Sequence, residues 1–197
     1  MRLNLPNTLT MIRIFISPLF LFFYVQYEAM GIPYTVLPYI LLFLLGASEL
    51  SDTFDGYLAR KYTQVTDLGK ILDPMADTIF HMSIFMTFTT GVVQLPMGLV
   101  FIFFYRDMMI STLRTMCALR GFALAARTSG KLKAIVQALT CLVIVLAMIP
   151  HSLGMIDTDQ LQWISRQTAL VAAVYTIYSG IDYMIANRGH IYKILQG

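Results

Sequence analysis

Charge is scarce in this sequence. Only 13% of its 197 residues are Asp, Glu, Lys or Arg, against roughly 25% in an ordinary soluble domain, and 57% are hydrophobic. With a mean hydropathy of +0.69, this excludes an ordinary water-soluble globule and points to an integral membrane protein. Cysteine is nearly absent. Cys117 and Cys141 lie in apolar, helix-like surroundings with neither metal-ligand nor disulfide-framework spacing, so they read as small buried hydrophobes. Internal repeats, low-complexity tracts and a soluble domain are also missing, which leaves one compact helical domain over residues 1–197. The apolar run after MRLNLPNTLTMIR ends without a small-residue cleavage site, so a removed signal peptide is not expected. Nothing suggests a nucleic-acid partner.

Six apolar segments are present, at about 8–27, 34–58, 68–91, 95–119, 130–150 and 163–186. A spanning helix needs about 20 residues. Turn signals part the segments: Gly31-Ile32-Pro33, Gly91 with Pro96, Gly121, and Pro150 with Gly154. The runs before Glu49 and over 95–105 cover only about half a bilayer each. Their helices must continue into charged sequence, which places a polar cavity among helices two, three and four on one side. Thirteen of the fourteen lysines and arginines fall on that side when the spans are counted, and only Arg166 falls opposite, among Glu28, Asp157 and Asp159. By the positive-inside rule that face is cytosolic. The expected fold is an all-α membrane protein, a bundle of six transmembrane helices with a cytosol-facing polar cavity.

The acidic residues are few but clustered. Of eleven, five lie in SDTFDGYLARKYTQVTDLGKILDPMADTIF: Asp52, Asp55, Asp67, Asp73 and Asp77. Asp52 and Asp55 share a helix face, continued by Gly56, Ala59 and Arg60. Gly69, Asp73 and Asp77, spaced by four, form a second stripe. A short turn over Lys61–Thr66 would make the helices antiparallel and bring four carboxylates together near the cytosolic surface. Converging anions raise one another's pKa and need compensation. Two divalent cations would supply it, and oxygen ligands favour magnesium, manganese or calcium over zinc. Two-metal carboxylate sites serve phosphoryl chemistry. Gly56, Ala59 and Gly69 would let a flat group approach the backbone, and Arg60 could hold a phosphate oxygen. The plainer alternative pairs helix-end aspartates with Arg60, Lys61 and Lys70. Asp67 reads as the cap of helix three, and Asn7 as the cap of helix one.

The pattern Asp52-x2-Asp55-Gly56-x2-Ala59-Arg60-x8-Gly69-x3-Asp73-x3-Asp77 resembles the signature of the CDP-alcohol phosphotransferases, membrane enzymes of phospholipid synthesis. The resemblance implies transfer to an alcohol from a CDP-linked donor, with CMP leaving. It implies two Mg2+ or Mn2+ ions on Asp52, Asp55, Asp73 and Asp77, and a CDP site of Gly56, Ala59, Arg60 and Gly69. It makes Asp77 the candidate general base. A homodimer in the bacterial inner membrane, with both termini and the site cytosolic, is also implied. LPNTLTMIRIFISP and YRDMMISTLRTMCALRG with TSGKLKAIVQ look most like members that use CDP-diacylglycerol and glycerol 3-phosphate to make phosphatidylglycerophosphate. Thr78 and Asp107 depart from that pattern, where lysine and glutamate would be expected.

A separate observation bears on the acceptor. Arg106, Arg114, Lys131 and Lys133 gather around the connection of helices four and five, and a phosphorylated acceptor would need such an anionic-ligand pocket. Inositol phosphate would also fit it, whereas free inositol or serine would not need it. Arg120 and Arg127 read as lipid-headgroup contacts. Glu49 stands outside the signature, His81 reads as packed or supporting, and Asp182 is expected to pair with Arg188 or close a cavity wall. The rival class is a divalent-cation transporter, since intramembrane carboxylates also mark ion paths. The clustering of acids at one face, without a matching broken pair in the second half, argues against it.

Overall fold

A computed structural model describes residues 5–61, 67–119, 127–189 and 191, with side chains for 11–51, 75–117, 127–189 and 191. Six helices make up the described regular structure: α1 (Leu5–Gln26), α2 (Leu37–Lys61), α3 (Asp67–Thr87), α4 (Met97–Leu119), α5 (Thr128–Ser152) and α6 (Thr158–Ala186). They follow the apolar segments of the sequence. The helices α2 and α4 run unbroken from apolar into charged sequence, as the half-length runs required.

Two local expectations need correction. Asn7 is not a cap, because it falls inside the helix of α1. The capping expected of Asp67, whose side chain and preceding residues lie outside the described ones, is not among these. Pro150 does not end α5 but sits inside its last turn. There the ring costs the helix one bond, the one to the Leu146 carbonyl, and the chain turns a few residues later at Gly154, where φ is +72°.

Side-chain periodicity explains the packing. Phe20 and Tyr24 of α1, Leu37, Leu41 and Leu45 of α2, and Ile84 of α3 with Phe88 just past its end recur at helical spacing and are buried together. Phe20 and Tyr24 both meet the Phe88 ring edge-on, at 5.8 and 5.9 Å between centroids. The helix α6 presents small residues instead. Ala169, Ala172, Ala173, Thr176, Ser179 and Gly180 are buried along it, so α5 and α4 can approach its backbone. The helix α1 packs on α2 and α3, while α5 touches both α2 and α3.

The outside of this bundle is apolar. Phe43 is 73% exposed and Val171 66%, and Phe15, Phe101, Trp163 and Val174 are exposed as well. A soluble monomer does not carry apolar surface on this scale, so the protein is a membrane protein. Two described helices, Thr128–Ser152 and Thr158–Ala186, are long and apolar enough to cross a bilayer by themselves.

The end away from the aspartate stripes is closed by hydrogen bonds. The Tyr24 hydroxyl donates to the Thr90 carbonyl (3.0 Å) and accepts from the Val93 N–H (3.3 Å). Between them, Gly91 has φ +63°, and a Cβ there would lie 2.8 Å from the Tyr24 ring, so only glycine fits this turn. Tyr34 Oη and His151 Nδ1 are hydrogen-bonded at 2.7 Å, tying the α1–α2 loop to α5. Asp157 and Gln160 form a capping box at the start of α6.

Candidate active site

The two aspartate stripes fall on continuous helix. Asp52, Asp55, Gly56, Ala59 and Arg60 lie in α2, and Gly69, Asp73 and Asp77 in α3. Of these, only the side chain of Asp77 is among the described ones, and residues 62–66 of the expected turn lie outside them.

Asp77 is one-third exposed (33%) and is contacted from two directions. Its Oδ1 lies 3.2 Å from His81 Nδ1, one helical turn further along α3, and 3.9 Å from Arg13 Nη1 on α1. His81 is buried, and its Nε2 lies 3.4 Å from Glu49 Oε1 on α2. Helices α1 and α3 therefore meet at this carboxylate, and α2 is tied to it through His81. His81, expected to be packed or supporting, is buried and contacts both carboxyl groups.

Below Asp77 an apolar groove of about 420 Å3 runs between α2, α3 and α5. Its walls include Leu42, Leu45 and Gly46 on one side and Ala138, Leu139 and Leu142 on the other, with Glu49, Asp77 and His81 at its head. Carboxyl groups thus meet hydrocarbon surface at one end of an open groove.

A second charged cluster lies across α4, α5 and α6. Asp107, 5% exposed, accepts from Lys133 Nζ at 2.7 Å and from Arg106 Nη1 at 2.9 Å. Arg106 Nη2 donates to Ser179 Oγ at 2.7 Å. The arginine stem crosses α6 where Gly180 stands, and a Cβ there would approach Arg106 Cγ to 3.2 Å. Arg114, two turns along α4, donates from Nε to Tyr183 Oη at 3.4 Å and lies 5.6 Å from that ring's centre. Lys133 is also close enough to Asp77 for their charges to interact.

Of the four cations expected to hold an acceptor phosphate, Arg106 and Lys133 are thus joined through Asp107, and Arg114 lies against α6. Lys131 is exposed at the start of α5, without an ion pair among the described residues. Two cations surround one carboxylate, so the cluster keeps a net positive charge in a nearly dry setting. Sequence reasoning missed Asp107 as their common partner, and Ser179 and Tyr183 as supports. The available signal was an acid inside an apolar helical run, which in a membrane bundle calls for a partner.

Of the two roles expected for Asp182, the pair with Arg188 is not formed, while the residue does line a pocket with Ser129, Leu132, Tyr175 and Tyr178. Asp182 pairs with Arg127 (2.8 and 3.0 Å) and accepts from Ser129 at 2.5 Å, rather than from Arg188. Arg127 is accordingly a partner of α6 and not simply a headgroup contact.

Fold and site together define a helical membrane protein with charge gathered at the head of an apolar groove. Residues 3–178 match the CDP-alcohol phosphatidyltransferase family, and the chain belongs to it. It is 30% identical over 193 residues to the CDP-diacylglycerol–glycerol-3-phosphate 3-phosphatidyltransferase of Bacillus subtilis (strain 168), covering 93% of this chain and 95% of that one. An enzyme of the same name from Rickettsia bellii is 32% identical over 186 residues, at 93% and 94% coverage. That of Sodalis glossinidius is 31% identical over 200 residues, at 98% and 100%.

Proposed function

We propose that this chain transfers the phosphatidyl group of CDP-diacylglycerol to glycerol 3-phosphate, giving phosphatidylglycerophosphate and CMP. The observation that carries this reading is the placement of Asp77. An apolar groove suited to an acyl chain ends at it, and the cationic cluster around Lys133 lies within electrostatic reach of it. A lipid diphosphate and a phosphorylated alcohol would meet there. The relatives' shared name supports the same pair of substrates.

In the reaction the acceptor hydroxyl oxygen bonds to the phosphorus that carries diacylglycerol. The bond from that phosphorus to the bridging oxygen breaks, and CMP leaves with the electron pair. Asp77 takes the hydroxyl proton, a role worth about 10²–10⁴-fold in rate. Arg106, Arg114 and Lys133 hold the acceptor's phosphate, with Lys131 at the rim, while Asp107 keeps Arg106 and Lys133 in place. Gly56, Ala59, Arg60 and Gly69 form the CDP site.

The residues suit a divalent metal. Asp52 and Asp55 on α2, and Asp73 and Asp77 on α3, offer hard oxygen donors at one-face spacing, and Asp77 is open to a ligand. These four would hold two Mg2+ or Mn2+ ions, which supply neutralisation of the diphosphate charge. In this proposal all six helices span the bacterial inner membrane, the site and both termini are cytosolic, and the enzyme works as a homodimer.

The test is CMP release from CDP-diacylglycerol with glycerol 3-phosphate, inositol 1-phosphate, inositol and serine as acceptors. Glycerol 3-phosphate should be fastest. Preference for inositol 1-phosphate would reassign the acceptor, and preference for serine or free inositol would remove the phosphate pocket. Cation flux in proteoliposomes without CMP release would make the protein a transporter.

A further inference from the structure

His81 and Glu49 belong neither to the aspartate stripes nor to the cationic cluster, yet they sit at the head of the groove. Burying an imidazole is costly unless its nitrogens find partners. Here Nδ1 is hydrogen-bonded to the Asp77 backbone carbonyl, while Nε2 makes no hydrogen bond among the described residues and lies only within ion-pair distance of Glu49. Nδ1 lies 3.1 Å from the Asp77 carbonyl oxygen and 3.2 Å from its Oδ1, and Nε2 lies 3.4 Å from Glu49 Oε1. The ring is further fixed edge-on against Phe80, at 5.5 Å between centroids. The side chain therefore bridges α2 and α3 through two carboxyl groups.

The contact is also selective. His81 and Arg13 both approach Oδ1 of Asp77. A carboxylate held by one oxygen cannot rotate freely about its Cβ–Cγ bond, so the direction of the other oxygen is set. We propose that His81, braced by Glu49, is a positioning residue for Asp77: it holds Oδ1 so that Oδ2 faces the reacting centre. This rests on the role given to Asp77 above. Supports of this kind typically change metal affinity or activity by about 10–100-fold when removed.

Asn and Gln variants separate the two arms. His81→Asn puts an amide N–H near the place of Nδ1 and keeps the Asp77 contact. His81→Gln reaches toward the place of Nε2 and keeps only the Glu49 contact, while His81→Leu keeps neither. Each full-length variant, purified in detergent micelles, would be measured for kcat, for KM of CDP-diacylglycerol, and for Mn2+ affinity by calorimetry with CMP present.

The Leu and Gln variants should lose about tenfold or more in kcat and in Mn2+ affinity, with donor KM little changed. Asn should recover part of both, staying several-fold below wild type because it lacks the Glu49 brace. Equal impairment of Asn and Leu, or wild-type behaviour of Leu, would overturn the positioning claim. Should His81→Leu fail to fold, Glu49→Gln serves in its place. It should weaken both quantities several-fold, and no change in either counts against the brace. Asp77→Asn, measured alongside, tells the two readings apart. If it turns over normally, the role of Asp77 falls. If it is inactive while all His81 variants match wild type, only the positioning claim falls.

Discussion

Two buried charge clusters lie near each other in this bundle and are built in opposite ways. Around Asp77, two carboxyl groups share one imidazole, and the key carboxylate is one-third exposed at the head of a groove. Around Asp107, two cations share one carboxylate, and that carboxylate is nearly sealed from solvent. The first arrangement leaves an anion open to bind cations and accept a proton. The second uses its anion as an internal counter-ion, which lets two cations persist inside a membrane bundle while keeping net positive charge. The same residue type is thus chemistry in one place and scaffold in the other, and exposure with partner count tells them apart.

The comparison breaks most visibly at Asp107. Removing one partner from a buried ion cluster leaves uncompensated charge and costs about 3–5 kcal/mol. Asp107→Ala should therefore lower the thermal midpoint in detergent markedly, whereas Asp77→Asn, at a carboxylate one-third exposed, should lower it less. Equal destabilisation by the two would erase the distinction between scaffold and site.

Next in size is the effect of Asp77→Asn on turnover. The amide keeps the shape and one ligand oxygen but cannot take a proton. A loss in kcat of about 10²-fold or more is expected, with the donor still bound. Normal turnover would make Asp77 dispensable, and loss of donor and metal binding would make it a metal ligand first.

The smallest effect is expected in the groove. A Cβ built on Gly46 meets nothing within 4 Å, so Gly46→Leu can project into the groove without disturbing the helices. It should raise KM for CDP-diacylglycerol a few-fold and leave KM for glycerol 3-phosphate unchanged. An unchanged donor KM would take the acyl chain out of this groove.

Much of this comparison was legible in the sequence, and the missing parts share one cause. Helices and stripes follow from local periodicity, so α1–α6 and the alignment of Asp73 with Asp77 could be read directly. Partners between distant helices could not. Asp107 meets Lys133 across the α4–α5 connection, and Glu49 meets His81 between α2 and α3; neither spacing carries a periodic signal. Asp182 shows how local reasoning misleads. Arg188 is near in sequence, but it lies beyond the end of α6, whose helix stops at Ala186. The true partner, Arg127, comes from the start of α5.

The central claim is that acceptor binding belongs to the α4–α6 cations and chemistry to Asp77. Calorimetric titration of glycerol 3-phosphate into wild type, Asp77→Asn and Arg114→Ala tests it most directly. Asp77→Asn should bind the acceptor as wild type does, while Arg114→Ala should bind about tenfold more weakly or worse, as the loss of one charge-assisted hydrogen bond implies. Acceptor affinity lost in Asp77→Asn and kept in Arg114→Ala would contradict the account.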